Sequence, residues 1–336
     1  MDNLLYFPYI SIPNTPWLYK SLLYWDAIDT ITPRSYLRRP DKFNGPYMNE
    51  LLEAELVRPV MPGNYVYDIP DFSNNFLMYV DKKCSSSEEN FLVKGIDLKN
   101  LTQIHLEKMD DIAYELVERG LALKNNRWVY VHKSIANDFM LYLATLLGAM
   151  RNSQPITDNI LNVNSSFSTI SKEQAIFFNR EELRRSVLNH AFPTPNEIFK
   201  VSELLDFKLR NEKQLKNFRK HIEQELLKID GALEHVKDEM LSALIKDIEY
   251  EKQSISEKMK EKWNVFDSGT FIQLGANSIT AMNAVQSGTN LSVAGAALTI
   301  VNTALSTMKK VRNNKKEILS GPIAYAFLVN KKWSNT

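Results

Sequence analysis

The chain has 336 residues, of which 44% are hydrophobic, so it is long enough for two or three domains with real cores and is not a disordered protein. Its 41 Lys and Arg residues balance 40 Asp and Glu residues, so no overall field favours nucleic acid as a partner. The single cysteine, Cys84, excludes an intramolecular disulfide framework and a cysteine-based zinc cluster. The first residues lack a basic segment followed by a long apolar run, so we expect no secretory signal and a cytoplasmic protein.

In residues 1–151, short apolar runs alternate with helical patterns, and Pro, Asn and Gly residues separate them as turn formers. This pattern predicts an α+β domain. We expect this domain to sense a partner. In chain order, the predicted elements are a strand over Leu4–Ile12, a helix over Trp17–Trp25, a strand over Ile28–Ile31, a helix over Met48–Val57, strands over Phe76–Val80 and Leu101–Leu106, and a helix over Ile135–Arg151.

The clearest local unit is the segment 110–151, where a helix stopped by Gly120 precedes a hairpin with an Asn125–Asn126 turn and a second helix. This order resembles the outline of a winged helix, which reads DNA in many proteins. However, Lys124 and Arg127 are the only basic residues of the hairpin turn, and the first helix is acidic. A surface that faces phosphates needs several basic groups, so nucleic acid is not an expected partner.

A connector and a long helical region follow. Residues 152–202 begin rich in Ser, Thr and Asn and continue into a short helix near Arg180–Asn189, and Pro193 and Pro195 mark a natural boundary. In residues 203–263, apolar residues recur at steps of three and four with dense charges between them, which predicts one long helix, or two helices broken near Gly231. The pattern fits either a helix pair packed within the chain or an oligomerising coiled coil, and we expect a homo-oligomer.

The last region, 264–336, has the most unusual composition. It carries seven Lys and Arg residues against two Asp and Glu, and the 41 residues from Ser268 to Met308 contain no charged side chain. Of these 41 residues, 22 are Gly, Ala, Ser or Thr, and Ser287–Asn290 is a turn signal, so the segment predicts a helical hairpin. Two interpretations stay open: a hairpin buried in the protein's own core, or a hairpin that enters a membrane as part of an assembly.

The membrane interpretation assigns roles to three sets of residues. Apolar side chains would contact lipid, uncharged polar side chains would line a water-filled pore, and the basic run after the hairpin would hold anionic headgroups. The lipid-contacting candidates are Phe271, Ile272, Leu274, Ile279, Leu291, Val293, Leu298, Ile300, Val301 and Leu305. The pore-lining candidates are Ser292, Thr299, Asn302, Thr303 and Ser306, and the headgroup candidates are Lys309, Lys310, Arg312, Lys315 and Lys316.

The sequence contains no motif for catalysis, a cofactor or a metal ion: no Gly-rich phosphate loop, no His-Glu-x-x-His pair, no nucleophile elbow and no Cys-His zinc spacing. We therefore predict no catalytic residue, no cofactor and no metal site, and we expect that the protein is not an enzyme. The histidines are scattered and are expected to be structural or solvated. They are His105, His132, His190, His221 and His235.

Aromatic and apolar segments recur at the start of the chain and at the entry into the long helix. They are Leu5–Ile10, Trp17–Leu18, Leu22–Asp26, Ile31–Pro33 and Glu55–Val60, followed by Pro193, Pro195, Phe207–Lys208, Leu215 and Phe218–Arg219. In these segments the chain resembles an uncharacterised bacterial family, of the kind named only as a domain of unknown function. The resemblance names no catalytic residue and does not include the uncharged hairpin. It implies an accessory or defence protein of bacteria and their prophages.

The predicted fold class is therefore an α+β N-terminal domain followed by a mostly α-helical region, with a long helix or coiled coil and an apolar helical hairpin. We expect a cytoplasmic anti-phage protein that senses a phage product, oligomerises and moves to the inner membrane, where the 268–308 hairpin permeabilises the bilayer. The alternative is a soluble interaction scaffold whose hairpin is permanently part of the core.

Overall fold

The chain folds into two compact units. The computed structural model describes residues 3–158, 172–194, 199–286 and 316–334, with the backbone alone for 172–178 and 261–286. One unit comprises Met1–Glu182 with Phe199–Leu205, and the other comprises Leu183–Ile198 with Asp206–Thr336. Each unit has its own buried residues and is described separately below.

Parallel strands form the first sheet, in the order β3-β2-β1-β7. The helix α1 connects β1 to β2, whereas α2 and α3 connect β2 to β3, as in the βαβ units of parallel sheets. The strands are β1 (Asn3–Tyr6), β2 (Ala27–Ile31), β3 (Val57–Val60) and β7 (Gln154–Ile156), and the helices are α1 (Pro16–Tyr24), α2 (Arg34–Arg38) and α3 (Pro46–Glu53).

Antiparallel strands form the second sheet of this unit, in the order β4-β6-β5. Its buried face and the helices around it share one hydrophobic core with Leu5 and Ile31 of the first sheet, so the two sheets belong to one folding unit. The strands are β4 (Leu101–His105), β5 (Ala122–Asn125) and β6 (Trp128–His132), and the helices are α4 (Phe72–Ser86), α5 (Leu106–Met109), α6 (Asp111–Glu118) and α7 (Lys133–Arg151).

A buried carboxylate joins the first sheet to the end of α7. Asp29 of β2 is 0% exposed, and its Oδ1 accepts a hydrogen bond of 2.8 Å from Nε of Arg58 in β3. Its Oδ2 accepts hydrogen bonds from Nε and Nη2 of Arg151, at 3.2 and 3.0 Å. The Ser153 hydroxyl donates to the same oxygen at 3.4 Å. Two guanidinium groups therefore compensate a charge that burial alone would strongly disfavour.

The rest of the described chain is helical. In the second unit, α10, α11 and α12 contact one another, and the Tyr325 ring of α12 lies 6.1 Å from the Phe218 ring of α10. Arg184, which is 2% exposed, forms an ion pair of 2.7 Å with Glu223 of α10. The helices are α8 (Lys172–Ala191), α9 (Val201–Arg210), α10 (Glu212–Asp230), α11 (Glu234–Gln286) and α12 (Ala324–Trp333).

The predicted fold class is confirmed: a region of mixed helices and strands comes first, and the described part of the C-terminal region is helical. The break predicted near Gly231 separates α10 from α11, and α10 buries the apolar face that the spacing predicts. The prediction of one or two helices over 203–263 is wrong, because a further break at Asn211 separates α9 from α10, where the Asn211 side chain donates a hydrogen bond of 2.8 Å to the Phe207 carbonyl oxygen. Helix α11 continues without interruption to Gln286, so the first half of the uncharged segment is helical in its backbone. The second half, residues 287–308, lies outside the described residues.

Three further predicted elements are wrong or too long. Strand β1 ends at Tyr6 rather than Ile12, because Pro8 has no N–H with which to continue a ladder. The strand predicted over Phe76–Val80 is instead part of α4. The helix predicted over Met48–Val57 ends at Glu53, and Val57 begins β3.

The close packing of α7 against β7 depends on Gly148. A Cβ atom at this position would lie 2.7 Å from the Ser153 carbonyl oxygen and 3.0 Å from the Pro155 ring. Alanine normally stabilises a helix interior by about 1 kcal/mol relative to glycine. We expect Gly148→Ala to lower the free energy of unfolding by about 2 kcal/mol instead, because backbone must move to relieve the contact.

Urea unfolding of the full chain would measure this change. Gly63→Ala is the matched control, because no atom lies within 4 Å of the added Cβ there, and we expect a change of at most about 0.5 kcal/mol. A Gly148→Ala variant as stable as the wild type would show that the helix and the strand are not tightly packed.

Candidate anion-binding site

A basic pocket of about 700 Å³ lies in the first unit. One wall is formed by α2 and the turn that follows it, and the other by the end of β4, the start of α5 and the start of β6. We call this cavity the basic pocket. Its lining residues are Arg34, Ser35, Arg38, Arg39, Lys42, Phe43, His105, Glu107, Arg127 and Trp128.

The first wall is held in place by Tyr36, which is 1% exposed and anchors α2 in the protein interior. Arg34 and Arg38 are four residues apart on this helix, so they lie on one face. The Tyr36 hydroxyl accepts a hydrogen bond of 2.5 Å from the Asn44 side chain, and the Tyr36 ring packs on the Phe43 ring with centroids 5.6 Å apart. These contacts fix the turn that carries Lys42 and Phe43.

The second wall is built on the antiparallel sheet. His105, the last residue of β4, is directly opposite Trp128, the first residue of β6. Their rings meet nearly at right angles, with centroids 5.1 Å apart. Arg127 belongs to the two-residue turn between β5 and β6, and its carbonyl oxygen accepts a hydrogen bond of 2.8 Å from the Leu106 amide. The hairpin turn therefore places Arg127 beside Leu106, which comes 21 positions earlier in the chain.

The pocket has a strong excess of positive charge. Five of its lining side chains are Arg or Lys, and Glu107 is the only carboxylate among its lining residues. A Glu107 oxygen accepts a hydrogen bond of 3.3 Å from the Ser35 amide. Within the part of the chain that the structure describes, none of the five cations is in an ion pair with a carboxylate. Five cations against one carboxylate create a positive potential in the pocket, which favours an anionic ligand.

His105 adds a polar group to the wall. It is 3% exposed, and its Nδ1 accepts a hydrogen bond of 3.3 Å from the Glu107 amide. A neutral ring that accepts at Nδ1 carries its proton on Nε2, so Nε2–H is the donor. Burial lowers the pKa of His105, the Glu107 carboxylate raises it, and Lys108 and Arg127 lower it further. An anion in the pocket would oppose these cations and favour the protonated ring.

A buried lysine lies beside this wall. Lys108 of α5 is 3% exposed, and its ammonium group donates to the Pro8 carbonyl oxygen at 3.4 Å. Burial lowers the pKa of Lys108 to about 7, and no carboxylate in the described part of the chain offsets that effect. A buried ammonium group with a single long hydrogen bond destabilises the fold near neutral pH, so this position is not optimised for stability.

The sequence contained a signal for this pocket that regional charge counts conceal. The segment 34–42 carries four Arg or Lys residues and one Asp, whereas residues 1–202 as a whole carry 21 basic and 24 acidic residues. The expectation that nucleic acid is not a partner rests on the balanced charge of the whole chain, on the acidic helix before the hairpin and on the few basic residues of the hairpin turn. The fold adds Arg34, Arg38, Arg39 and Lys42 to Arg127, although at least 85 residues separate them from it in sequence.

The structure describes only some of the residues that the membrane interpretation predicts. Phe271, Ile272, Leu274 and Ile279 fall on the backbone of α11, and their side chains are not described. Lys316 is exposed. None of the described helices is both long enough and apolar enough to cross a bilayer. The remaining lipid, pore and headgroup candidates lie outside the described residues: Leu291, Ser292, Val293, Leu298, Thr299, Ile300, Val301, Asn302, Thr303, Leu305, Ser306, Lys309, Lys310, Arg312 and Lys315.

Replacement of the buried lysine tests the electrostatic account of this region. The folded pKa of Lys108 lies below the value of an exposed lysine, so the unfolded chain binds more protons between pH 7 and pH 10.5. Stability therefore rises with pH across that range. We expect Lys108→Met to increase the free energy of unfolding at pH 7 by roughly 3 kcal/mol, with most of the gain lost by pH 10.

Urea unfolding at pH 7 and pH 10 would measure both effects. Lys82→Met is the control, because Lys82 is exposed and its replacement should change stability by at most about 0.5 kcal/mol at either pH. A Lys108→Met variant that is less stable than the wild type at pH 7 would contradict the account.

Comparison with known proteins adds no assignment to this site. No family model, no curated protein and no solved structure matches the chain. The resemblance to an uncharacterised bacterial family therefore stays a prediction. A functional conclusion depends on the residues of the basic pocket.

Proposed function

We propose that the first unit binds a phosphate-bearing small molecule in the basic pocket, and that the protein acts as a sensor of this ligand. The observation that carries the proposal is the convergence of five cations without a paired carboxylate among the described residues. The proposal agrees with the sensing role that we predict for the N-terminal domain.

The identity of the cations favours phosphate over other anions. Four of the five are arginines, whose planar guanidinium groups donate two parallel hydrogen bonds to phosphate or carboxylate oxygens. A ligand with several phosphate groups would offset more of the charge than a monoanion. The volume of about 700 Å³ lies within the range of small-molecule sites, about 300–1,000 Å³, and is larger than a lone phosphate ion requires.

The position of the pocket in the fold also supports a ligand site. Parallel sheets with βαβ connections bind ligands beyond the carboxyl ends of their strands, because the loops there are free to vary. Strand β2 ends at Ile31, and α2 with its basic side chains begins three residues later. The first wall of the pocket is therefore the segment that follows a carboxyl end of the parallel sheet.

Charge reversal on either wall tests the proposal. We expect wild-type protein to bind inorganic triphosphate, measured by isothermal titration calorimetry, with an affinity that falls as salt is raised. Arg38→Glu and Arg127→Glu should each weaken binding by tenfold or more, about 1.4 kcal/mol, because each replaces an attractive charge with a repulsive one.

The matched control is Lys82→Glu, which changes the net charge equally at an exposed position outside the pocket. It should retain wild-type affinity within about twofold, because salt screens distant charges. Equal losses in all three variants would mean that binding is non-specific. An absence of triphosphate binding by the wild type at low salt would refute the site.

A second candidate function is the triggered permeabilisation of the inner membrane, with death of the phage-infected cell. Its support is the 41-residue uncharged segment of the sequence, half of it small residues, followed by a basic run. In this proposal, the pocket ligand or a phage protein is the trigger, and a homo-oligomer forms the pore. The alternative, a soluble scaffold with the hairpin in its core, remains the competing proposal.

Deletion of residues 268–308 distinguishes these alternatives in cells. The full chain should depolarise the bacterial membrane during phage infection, whereas the deletion variant should not, because it lacks the segment that would insert. A voltage-sensitive dye measures the potential, and uninfected cells are the control. Protection from phage without any depolarisation by the full chain would favour the soluble scaffold.

A further inference from the structure

Aromatic side chains line the basic pocket together with its cations. Trp128 and Phe43 are both partly buried, and they belong to opposite walls. Aromatic rings contribute little to the binding of inorganic phosphate alone, because phosphate oxygens are bound by N–H and O–H donors. The aromatic surface requires a ligand with an apolar, planar part.

Both rings are fixed before any ligand binds. Trp128 is held by the backbone of the central strand β6 and by the perpendicular contact with His105. Phe43 is held by the buried ring of Tyr36. A ring that is already ordered loses little conformational entropy on binding, so its contact area adds directly to affinity.

We infer that the ligand of the basic pocket is a nucleotide with more than one phosphate, whose phosphates contact the arginines and whose base stacks on Trp128 or Phe43. This inference rests on the proposed function, since it names the class of ligand for the same site. Every nucleobase has a planar face that stacks on aromatic rings, and arginine guanidinium planes stack on the same faces. Phosphates and a base in one molecule match cations and aromatic rings in one pocket.

A free nucleotide fits the site better than a strand of nucleic acid. Proteins that bind single strands use a groove that follows the backbone over several nucleotides. Here the cations converge on one cavity of about 700 Å³, and the chain as a whole has a net charge of +1. A nucleoside diphosphate or triphosphate is of the size that such a cavity accommodates.

The experiment compares three ligands by isothermal titration calorimetry with the full chain. They are ATP, inorganic triphosphate and deoxythymidine decanucleotide. We expect ATP to bind about tenfold more tightly than triphosphate, because stacking adds to the phosphate contacts. The decanucleotide should bind no more tightly than triphosphate.

Variants of Trp128 test whether stacking on this ring causes the difference in affinity between ATP and triphosphate. Trp128→Leu should abolish the roughly tenfold preference for ATP over triphosphate, and Trp128→Phe should keep most of this preference. Retained triphosphate binding also reports that the variant is folded. If Trp128→Leu does not fold, Phe43→Leu tests the same point from the other wall.

The outcomes separate this inference from the proposed function. If triphosphate and ATP bind equally and Trp128→Leu changes neither, the nucleotide inference is wrong although the anion site stands. Tighter binding of the decanucleotide than of ATP would overturn the inference in favour of a nucleic-acid strand. If none of the three ligands binds, the proposed function fails as well.

Discussion

The first unit depends on one buried charge. The Asp29 carboxylate lies on the central strand β2, out of contact with water, and it accepts hydrogen bonds from Arg58 on the next strand and from Arg151 at the end of α7. Arg151 in turn donates to the Tyr65 hydroxyl at 2.5 Å. An unpaired carboxylate at this position would be prohibitively costly, so strand order and the docking of α7 are fixed by the same atoms.

The charges of the basic pocket are not balanced in the way that the charge of Asp29 is. At Asp29 two guanidinium groups bind one buried carboxylate, whereas five cations line the pocket with a single glutamate among the lining residues. Close by, Lys108 is buried, and no carboxylate of the described residues forms an ion pair with it. Two such departures from stable charge pairing in one neighbourhood are characteristic of sites where function, rather than stability, determines the residues.

Local sequence patterns predicted those elements whose signals are local. The hairpin and the helix end at Gly120 were predictable, because turn chemistry needs only neighbouring residues, although the turn comprises Asn126 and Arg127 and so lies one residue later than predicted. Strand β7 was not, since a three-residue strand with a central proline is defined by its pairing with β1. Phe76–Val80 was assigned to a strand because the run is short and apolar. With Phe72, its buried residues recur at helical spacing.

Only one wall of the basic pocket could be predicted from the sequence. The cluster of cations at 34–42 is visible in the sequence, but its association with Arg127 and Trp128 is not, because that depends on how the antiparallel sheet packs beside the parallel one. Tyr36 and Asn44, which position the first wall, carry no sequence signature of that role. Such contacts between distant segments follow from the tertiary structure alone.

The pairing of β1 with β7 has a consequence for biosynthesis. Leu4 is paired with Gln154, so one edge of β1 stays open until about 150 further residues have been made. At about 5–20 residues per second, this interval lasts roughly 8 to 30 s on the ribosome. During it, the apolar strand Leu4–Tyr6 has backbone groups that a second nascent chain could pair with. The parallel sheet of the first unit is therefore completed only when β7, the last of the described strands, has been made.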